Sequence, residues 1–503
     1  MICETIRQLT EYACRRGLIS DEDRVYTVNR LLEAFGLDAY ETDSEKAENQ
    51  EAHTLAELLH SVVSYAEKKG LIAPDSITEA DLFDTKIMGL LTPPPSTVIK
   101  GFRERYAESP EKATDYYYRF CRDTNYIRED RIERDKKWTI SSKYGEIDIT
   151  INLSKPEKDP RAIAAAKNAA PSQYPKCALC RETEGYAGHL NAAARQNHRI
   201  IPITLDGESW YFQYSPYVYY NEHCIALSEE HRPMKIDEST FKKLLDFVDL
   251  FPHYFIGSNA DLPIVGGSIL SHDHMQGGHY TFAMARAPMV ETVVFQGFSG
   301  VEAGILKWPM SVLRLRSADR RQLISLAVLI LNSWRTYSDP SAFIFAETDG
   351  EPHNTITPIA RVRGGKYELD LVLRNNITTE EHPLGVFHPH AELHNIKKEN
   401  IGLIEVMGLA VLPSRLKHEM ELLADAILKK KSIESDENIQ KHAAWFRKFE
   451  AQYTFTKENV DEILQNEIGK TFVQVLEDSG VFPYTENGMR HFRKFLGTVQ
   501  EKL

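Results

Sequence analysis

The sequence predicts an α+β protein in which a region of antiparallel strands lies between two helical ends. Three observations carry this. Apolar residues repeat at helical spacing through roughly the first 130 residues. Near residue 137 the texture changes, and in KWTISSKYGEIDITINL the residues Ile147, Ile149 and Ile151 alternate with polar ones, the pattern of a half-buried strand. A helix, strands and an H-x-H motif then recur about 115 residues apart, the sign of a duplicated unit.

The elements follow in order. Ile2, Ile6, Leu9 and Ala13 form the first helical stripe. SDED, 20–23, is a helix start before VYTVNRLLEAF, which Gly36 stops. Leu55, Leu58, Leu59, Val62, Val63 and Ala66 make the next stripe up to Gly70, SITE at 76–79 opens another helix, and TPPPS at 92–96 breaks the pattern as a turn or rigid connector. Arg199 to Leu227 reads as antiparallel strands turning at Asp206-Gly207. STFKKLLDFVDLF, 239–251, is an amphipathic helix, YFIGS a strand, and HYTFAMA, 279–285, a strand after a glycine-rich loop. SVLRLRS, a helix from ADRRQ, and the strand KYELDLVLRNN form the second unit, and a charged helical tail begins near Leu416. The expected division is 1–130 helical, 131–305 and 306–415 for the two strand-bearing units, and 416–503 for the tail.

Bulk composition narrows the function classes. The chain has 503 residues, long enough for two to four domains at roughly 150 residues each. A hydrophobic content of 42% and 10% aromatics supply large cores. The net charge of −13 argues against a general nucleic-acid or membrane surface, while leaving an anionic small substrate to a local site. Six scattered cysteines are too sparse for a disulfide scaffold and fit a reducing compartment. The first residues lack the pattern of a signal peptide, and no window holds 18 consecutive apolar residues, so a cytoplasmic protein is expected.

The chemistry concentrates in GGSILSHDHMQGGH, Gly266 to His279. On a strand, His272, His274 and Gln276 share one face. Histidine serves as base, nucleophile or acid near neutral pH, and its attack on phosphorus gives a phosphoramidate that is readily passed on. The flanking glycines let backbone N–H groups approach phosphate oxygens, and Gln276 donates to such an oxygen without adding charge. H-x-H alone reads as readily as a pair of metal ligands or a loop of satisfied polar residues. CALC, Cys177 to Cys180, has the spacing for one metal but supplies two of the four ligands zinc takes, and it fits a redox pair equally well.

The stretches CALCRETEGYAGHLNAAARQNHRIIPI, QYSPYVYYNEHCIALSEEHRPM, FIGSNADLPIVGGSILSHDHMQGG and FHPHAELHNIKKENIGLIEVMGLAVLPSRL resemble, over nearly the whole chain, the galactose-1-phosphate uridylyltransferase family. The match is to its second, mainly bacterial class, within the histidine-triad superfamily. Triad hydrolases carry a further histidine where this chain has Gln276. The resemblance implies two triad-like α+β units, each an antiparallel sheet with packed helices, and a homodimer. It implies UMP exchange between UDP-glucose and galactose 1-phosphate, in galactose metabolism, by a ping-pong route. His274 is then the nucleophile, with Gln276 on the phosphoryl oxygens, Ser268, Gly266 and Gly267 assisting, and Asn259 contacting nucleotide or phosphate. It implies zinc on Cys177, Cys180, His231 and His272, with His223 and Cys224 as alternative ligands and no organic cofactor. The other class has proline where this chain has Asp273, whose role stays open.

The second H-x-H, His388 and His390 with His394 beyond, is expected near substrate, with a second metal left open. Arg361 in HNTITPIARVR is expected on a ligand loop, the best placed of the cations Arg195, Arg199, Arg363, Lys397 and Lys398. The run YFQYSPYVYY, 211–220, stacks a base or fills core. Two other classes compete: a nucleotide hydrolase or phosphorylase with the same nucleophile, and a non-enzymatic zinc-bearing nucleotide-binding protein. A metallohydrolase is disfavoured by the lack of H-E-x-x-H.

Overall fold

The computed structural model describes residues 2–41, 53–153, 174–267 and 269–502. Ser268 therefore lies outside the described residues.

The helical start is built as its local signals direct. Helices span Ile2–Arg15, Arg24–Phe35, Leu55–Lys68, Ile77–Leu91, Pro95–Tyr106 and Pro110–Asp123. Gly36 ends its helix in the left-handed conformation, at φ 64°. Thr54 and Glu57 form a reciprocal capping box, and the Ser76 side chain accepts from the Glu79 amide. The proline run is both a break and a start, since Pro95 sits in the first helical turn, where a missing N–H costs nothing.

The strands are β1 Lys136–Ser142, β2 Gly145–Ile151, β3 Ile201–Leu205, β4 Glu208–Tyr214, β5 Cys224–Ser228, β6 Phe255–Gly257, β7 His274–Gly278, β8 Met289–Val293, β9 Glu302–Leu306, β10 Val312–Ser317, β11 Glu347–Thr348, β12 Glu351–Pro352, β13 Asn354–Arg363, β14 Lys366–Asn375 and β15 Leu409–Leu412. Among the described residues, ten of them form one sheet in the order β3-β4-β5-β7-β6-β13-β14-β10-β9-β8. Each half is a three-strand meander, a helix (Glu238–Leu250 or Arg320–Arg335), and then two strands that insert beside the meander. The halves join where β6 pairs antiparallel with β13, Ile256 opposite Ala360. The sheet is thus a duplicated unit about a pseudo-two-fold axis at that pair.

The registers also correct the repeat that the motifs suggested. Gly257 faces Gln276 in one half, and Arg361 faces Glu368 in the other. Rotation about the Ile256–Ala360 pair superposes Gly257 on Arg361 and Gln276 on Glu368. The counterpart of β7 is therefore β14, which has no histidine, and the H-x-H at 388–390 lies beyond it.

Two further corrections concern local structure. HYTFAMA is not a strand: Ala283–Arg286 is a short helix, and the Met284 amide donates to the Met407 carbonyl rather than into a ladder. HNTITPIARVR is not a loop but carries all of β13, buried from Asn354 to Arg361 and paired with both β6 and β14.

The apolar core runs unbroken from the N-terminal helices into the first half-sheet, joining Leu9, Ile87 and Tyr117 to Phe212 and Phe247. The Tyr117 hydroxyl donates to the Arg199 carbonyl, and Asn197 Nδ2 donates to the Thr124 carbonyl at 2.8 Å. The tail packs on the three-stranded sheet and on the second half's helix: helix Val460–Asp478 places Gly469 against Ile140 of β1, where a Cβ would come within 2.6 Å, and Phe495 of helix Glu486–Gln500 meets Trp334 of helix Arg320–Arg335. Among the described residues no helix is long and apolar enough to cross a membrane.

Candidate active site

Strand β7 lies between β5 and β6, so its side chains project from the middle of the first half-sheet. Alternation sends His274 and Gln276 to one face. That face floors a cleft of about 710 Å³, whose far wall is Lys397 to Glu405. Close approach of strands demands the glycines here: a Cβ on Gly277 would lie 2.4 Å from the Phe255 carbonyl oxygen.

Hydrogen bonds assign the ring protons. His274 Nδ1 lies 2.8 Å from the carbonyl oxygen of His272, which only accepts, so Nδ1 carries the proton and Nε2 presents a lone pair. Burial lowers the His274 imidazole to about 4, which keeps it neutral. His272 has the opposite tautomer. Its Nε2 lies 2.9 Å from the Ser228 carbonyl oxygen, so Nε2 is protonated and the Nδ1 lone pair faces the thiols.

Those thiols complete a compact set. His272 Nδ1 is 3.3 Å from Cys177 Sγ and 3.7 Å from Cys180 Sγ, His231 Nδ1 is 3.2 Å from Cys180 Sγ, and the sulfurs are 3.6 Å apart. All four ligand atoms lie within 4.8 Å of one another, an arrangement compatible with a metal site. The alternative ligands are elsewhere. Cys224 is buried in the core, and His223 Nε2 bonds Gln276 Oε1 at 3.0 Å on the cleft floor.

Asp273 points away from the cleft. Its carboxylate sits 3.6 Å from Arg232 Nε, while its amide donates to the Arg232 carbonyl at 2.7 Å and its carbonyl accepts from Ser228. It ties β7 to the segment carrying His231 rather than meeting a ligand's phosphates.

The other expected residues divide. Asn259, Gly266 and Gly267 line the cleft, and Asn259 Oδ1 accepts from the Leu403 amide at 2.9 Å, tying the floor to the far wall. Arg361 does not reach it. It is buried against Glu368 and Asp370, with Asp370 at 2.8 Å, and Arg314 joins the same carboxylates. By the pseudo-symmetry this ion cluster occupies the place that His223 and Gln276 hold in the first half. His388 is buried beside the Pro389 carbonyl. His390 stacks on His382 at 4.4 Å and lines a separate cavity of about 440 Å³ with Asp478. Arg199 is spent on the carbonyls of Pro93 and Thr92, whereas Arg195 and Lys397 line the cleft. Of the aromatic run, Tyr217 and Tyr219 face the cleft while Phe212 and Tyr214 fill the core.

Two floor residues went unrecognised in the sequence, His198 and Gln213, and His223, considered there only as an alternative metal ligand, is a third. His198 Nε2 bonds Gln213 Oε1 at 2.9 Å. The available signal was period two: on β4 the aromatics Trp210, Phe212 and Tyr214 take the buried face, which turns Gln213 to the opposite one.

A neutral histidine on a central strand opens its Nε2 into a polar cleft beside a thiol–imidazole set, and the chain is a nucleotidyltransferase. Residues 17–233 match galactose-1-phosphate uridyl transferase, N-terminal domain, and residues 246–446 match its C-terminal domain. A galactose-1-phosphate uridylyltransferase of Clostridium acetobutylicum is 51% identical over 99% of this chain and 100% of its own length. One of Fusobacterium nucleatum is 51% identical over 99% of each chain. Among solved structures, a yeast Ap4A phosphorylase aligns at 13% identity over 59% of this chain and 85% of its own, with a TM-score of 0.32. The chain belongs to the galactose-1-phosphate uridyl transferase family.

Proposed function

We propose that the protein exchanges UMP between UDP-glucose and galactose 1-phosphate through a covalent uridylyl-histidine at His274. The observation that carries this reading is the tautomer of His274: Nδ1–H is held by the His272 carbonyl, and the basic Nε2 is left for the cleft. In the first step Nε2 attacks the α-phosphorus of UDP-glucose. The bond from that phosphorus to the bridging oxygen breaks, and glucose 1-phosphate leaves with the electron pair. In the second step a phosphate oxygen of galactose 1-phosphate attacks the same phosphorus, the P–N bond breaks, and UDP-galactose leaves. Gln276 donates its amide N–H to the phosphoryl oxygens, because its carbonyl is already engaged by His223. Asn259 and the Gly266–Gly267 backbone line the cleft and in this reading meet the phosphates, and Ser268, outside the described residues, keeps the assisting role the resemblance implies.

Zinc is the metal this reading places on Cys177, Cys180, His231 and His272. Tetrahedral zinc bonds of about 2.3 Å to sulfur and 2.0 Å to nitrogen give sulfur–sulfur edges of about 3.8 Å and sulfur–nitrogen edges of about 3.5 Å. The spacings of 3.6 Å between sulfurs and 3.2–3.7 Å between sulfur and nitrogen fit those edges. Four protein ligands close such a site, so the metal braces the start of β7 rather than binding substrate. A cytoplasmic homodimer, in galactose metabolism, completes the proposal. All six cysteines are free, which suits a reducing compartment.

Intact-protein mass after mixing with UDP-glucose alone tests the reaction. A gain of one UMP, removed by galactose 1-phosphate and absent in His274→Gly, is the expected outcome. Free UMP released without any adduct would instead make the protein a hydrolase.

A further inference from the structure

The cleft floor repeats one device twice. Gln213 of β4 faces Ile225 of β5, and Ile225 faces Gln276 of β7, so the two glutamines lie in one row across three strands. Each lines the cleft, and each carbonyl is held by a buried histidine: Gln276 by His223 at 3.0 Å and Gln213 by His198 at 2.9 Å. Both histidines are held neutral by burial, His223 lowered to about 4 and His198 to about 3. A neutral imidazole has one N–H. In both residues Nδ1 is buried without a partner, so the proton belongs on Nε2, where a carbonyl receives it. The amide of each glutamine is thereby fixed with its NH2 toward the cleft.

Spacing and surroundings separate their roles. Two strand spacings put Gln213 roughly 10 Å from Gln276, the reach of a nucleoside monophosphate from phosphorus to base. Tyr126, which stacks on Gln213's partner His198, lines the cleft together with Leu179, Pro216 and Tyr217, apolar and aromatic groups suited to a flat ring. The opposite wall offers Lys397, Glu399, Asn400 and Glu405, groups suited to hydroxyls and a phosphate. His198 is itself clamped: its ring stacks on Tyr126 at 4.2 Å and 21°, and the neighbouring Asn197 is anchored on Thr124. Tyr126 and Thr124 come from the N-terminal helical region, which thus shapes the base end of the cleft.

We propose that Gln213, oriented by His198, is the specificity residue that reads the nucleobase, donating its amide N–H to the uracil 4-carbonyl, where cytosine carries an amine. The inference rests on the uridylyl-transfer reading. A fixed donor meets an acceptor in uracil and a second donor in cytosine, and the mismatched pair leaves both N–H groups unpaired. The 4-position is the base edge farther from the ribose, as Gln213 is the end of the row farther from His274.

The test compares kcat/KM for UDP-glucose and CDP-glucose in the full-length enzyme. Wild type should prefer UDP-glucose at least 100-fold, by about the discrimination a hydrogen-bonding site gives. Gln213→Leu should reduce the preference to below about tenfold by lowering the UDP-glucose value, with KM for galactose 1-phosphate unchanged. Gln213→Glu, nearly isosteric, should lower UDP-glucose and raise CDP-glucose, and it serves if the leucine variant does not fold. His198→Phe should lose discrimination by freeing the amide, and His198→Gln, which restores a donor, should regain it. An unchanged ratio in folded Gln213 variants that still form the UMP adduct overturns the assignment alone. Absence of any adduct in wild type overturns the transfer reading and the assignment with it.

Discussion

The Nδ1–H of His274 donates to the main-chain carbonyl of His272 at 2.8 Å, so the proposed nucleophile is oriented by its neighbour's backbone rather than by its ring. The His272 ring is turned instead toward Cys177 and Cys180. The bracing of β7 and the aim of the proposed nucleophile thus meet in His272, one through its ring and the other through its carbonyl. Cys180→Ser should drop bound metal from about one per chain to near none. The rate of adduct formation should fall about 10- to 100-fold, the usual cost of loosening a support that orients a reacting group, while the adduct stays on His274. Metal analysis with intact mass checks this, and a metal-free variant at full rate would remove the bracing role.

Asp273 sits between the two histidines in sequence yet faces Arg232 on the other side of the strand. Asp273→Asn should change kcat less than about threefold, because it touches neither cleft nor ligand set, and should leave stability at pH 7 unchanged or slightly higher, because burial raises the carboxyl to about 6 and Arg232 does not offset that cost. Steady-state kinetics decides it: a hundredfold fall in kcat would return Asp273 to the reaction.

Arg361 is held between Glu368 and Asp370 and lies outside the cleft. Arg361→Met should destabilise the fold by about 3 kcal/mol, since it leaves buried carboxylates one cation short. KM for both substrates should stay within twofold in the folded protein. Urea unfolding and kinetics together separate the cases, and a tenfold rise in KM at unchanged stability would place Arg361 on substrate instead.

Arg361 also shows where sequence runs out. The shared face of His274 and Gln276 was legible because strand alternation is local, and the C-x-x-C because its spacing is local, whereas His272 precedes β7 and turns to the thiols instead of sharing that face. His231 needs the β5–β7 pairing, Leu227 opposite His274, to come beside His272. Arg361 needs two pairings, β13 with β6 and with β14, and nothing within HNTITPIARVR announces them. A run of asparagine, threonines and arginines reads as loop until burial on both sides turns it into a central strand. The recurring H-x-H misled for the same reason: it marks spacing along the chain, whereas the duplication is carried by strand order. His198 and Gln213 are 15 residues apart and meet across the turn from the 195–200 segment into the β3–β4 hairpin, and only the fold gives that contact.

His198 gives the protein an acid sensitivity with a definite sign. Burial lowers its folded value to about 3, while the unfolded chain titrates near 6.5. Below about pH 6.5 the unfolded state binds a proton that the folded state refuses, so stability is full above that pH and is lost as pH falls toward 3. His198→Gln keeps a donor for Gln213 and removes the titration. Between pH 7 and pH 5 the variant should gain about 2 kcal/mol relative to wild type, one and a half pH units of one proton. Urea unfolding at the two pH values measures it. Parallel losses in both proteins would mean that His198 takes up its proton while folded and is not held neutral by burial.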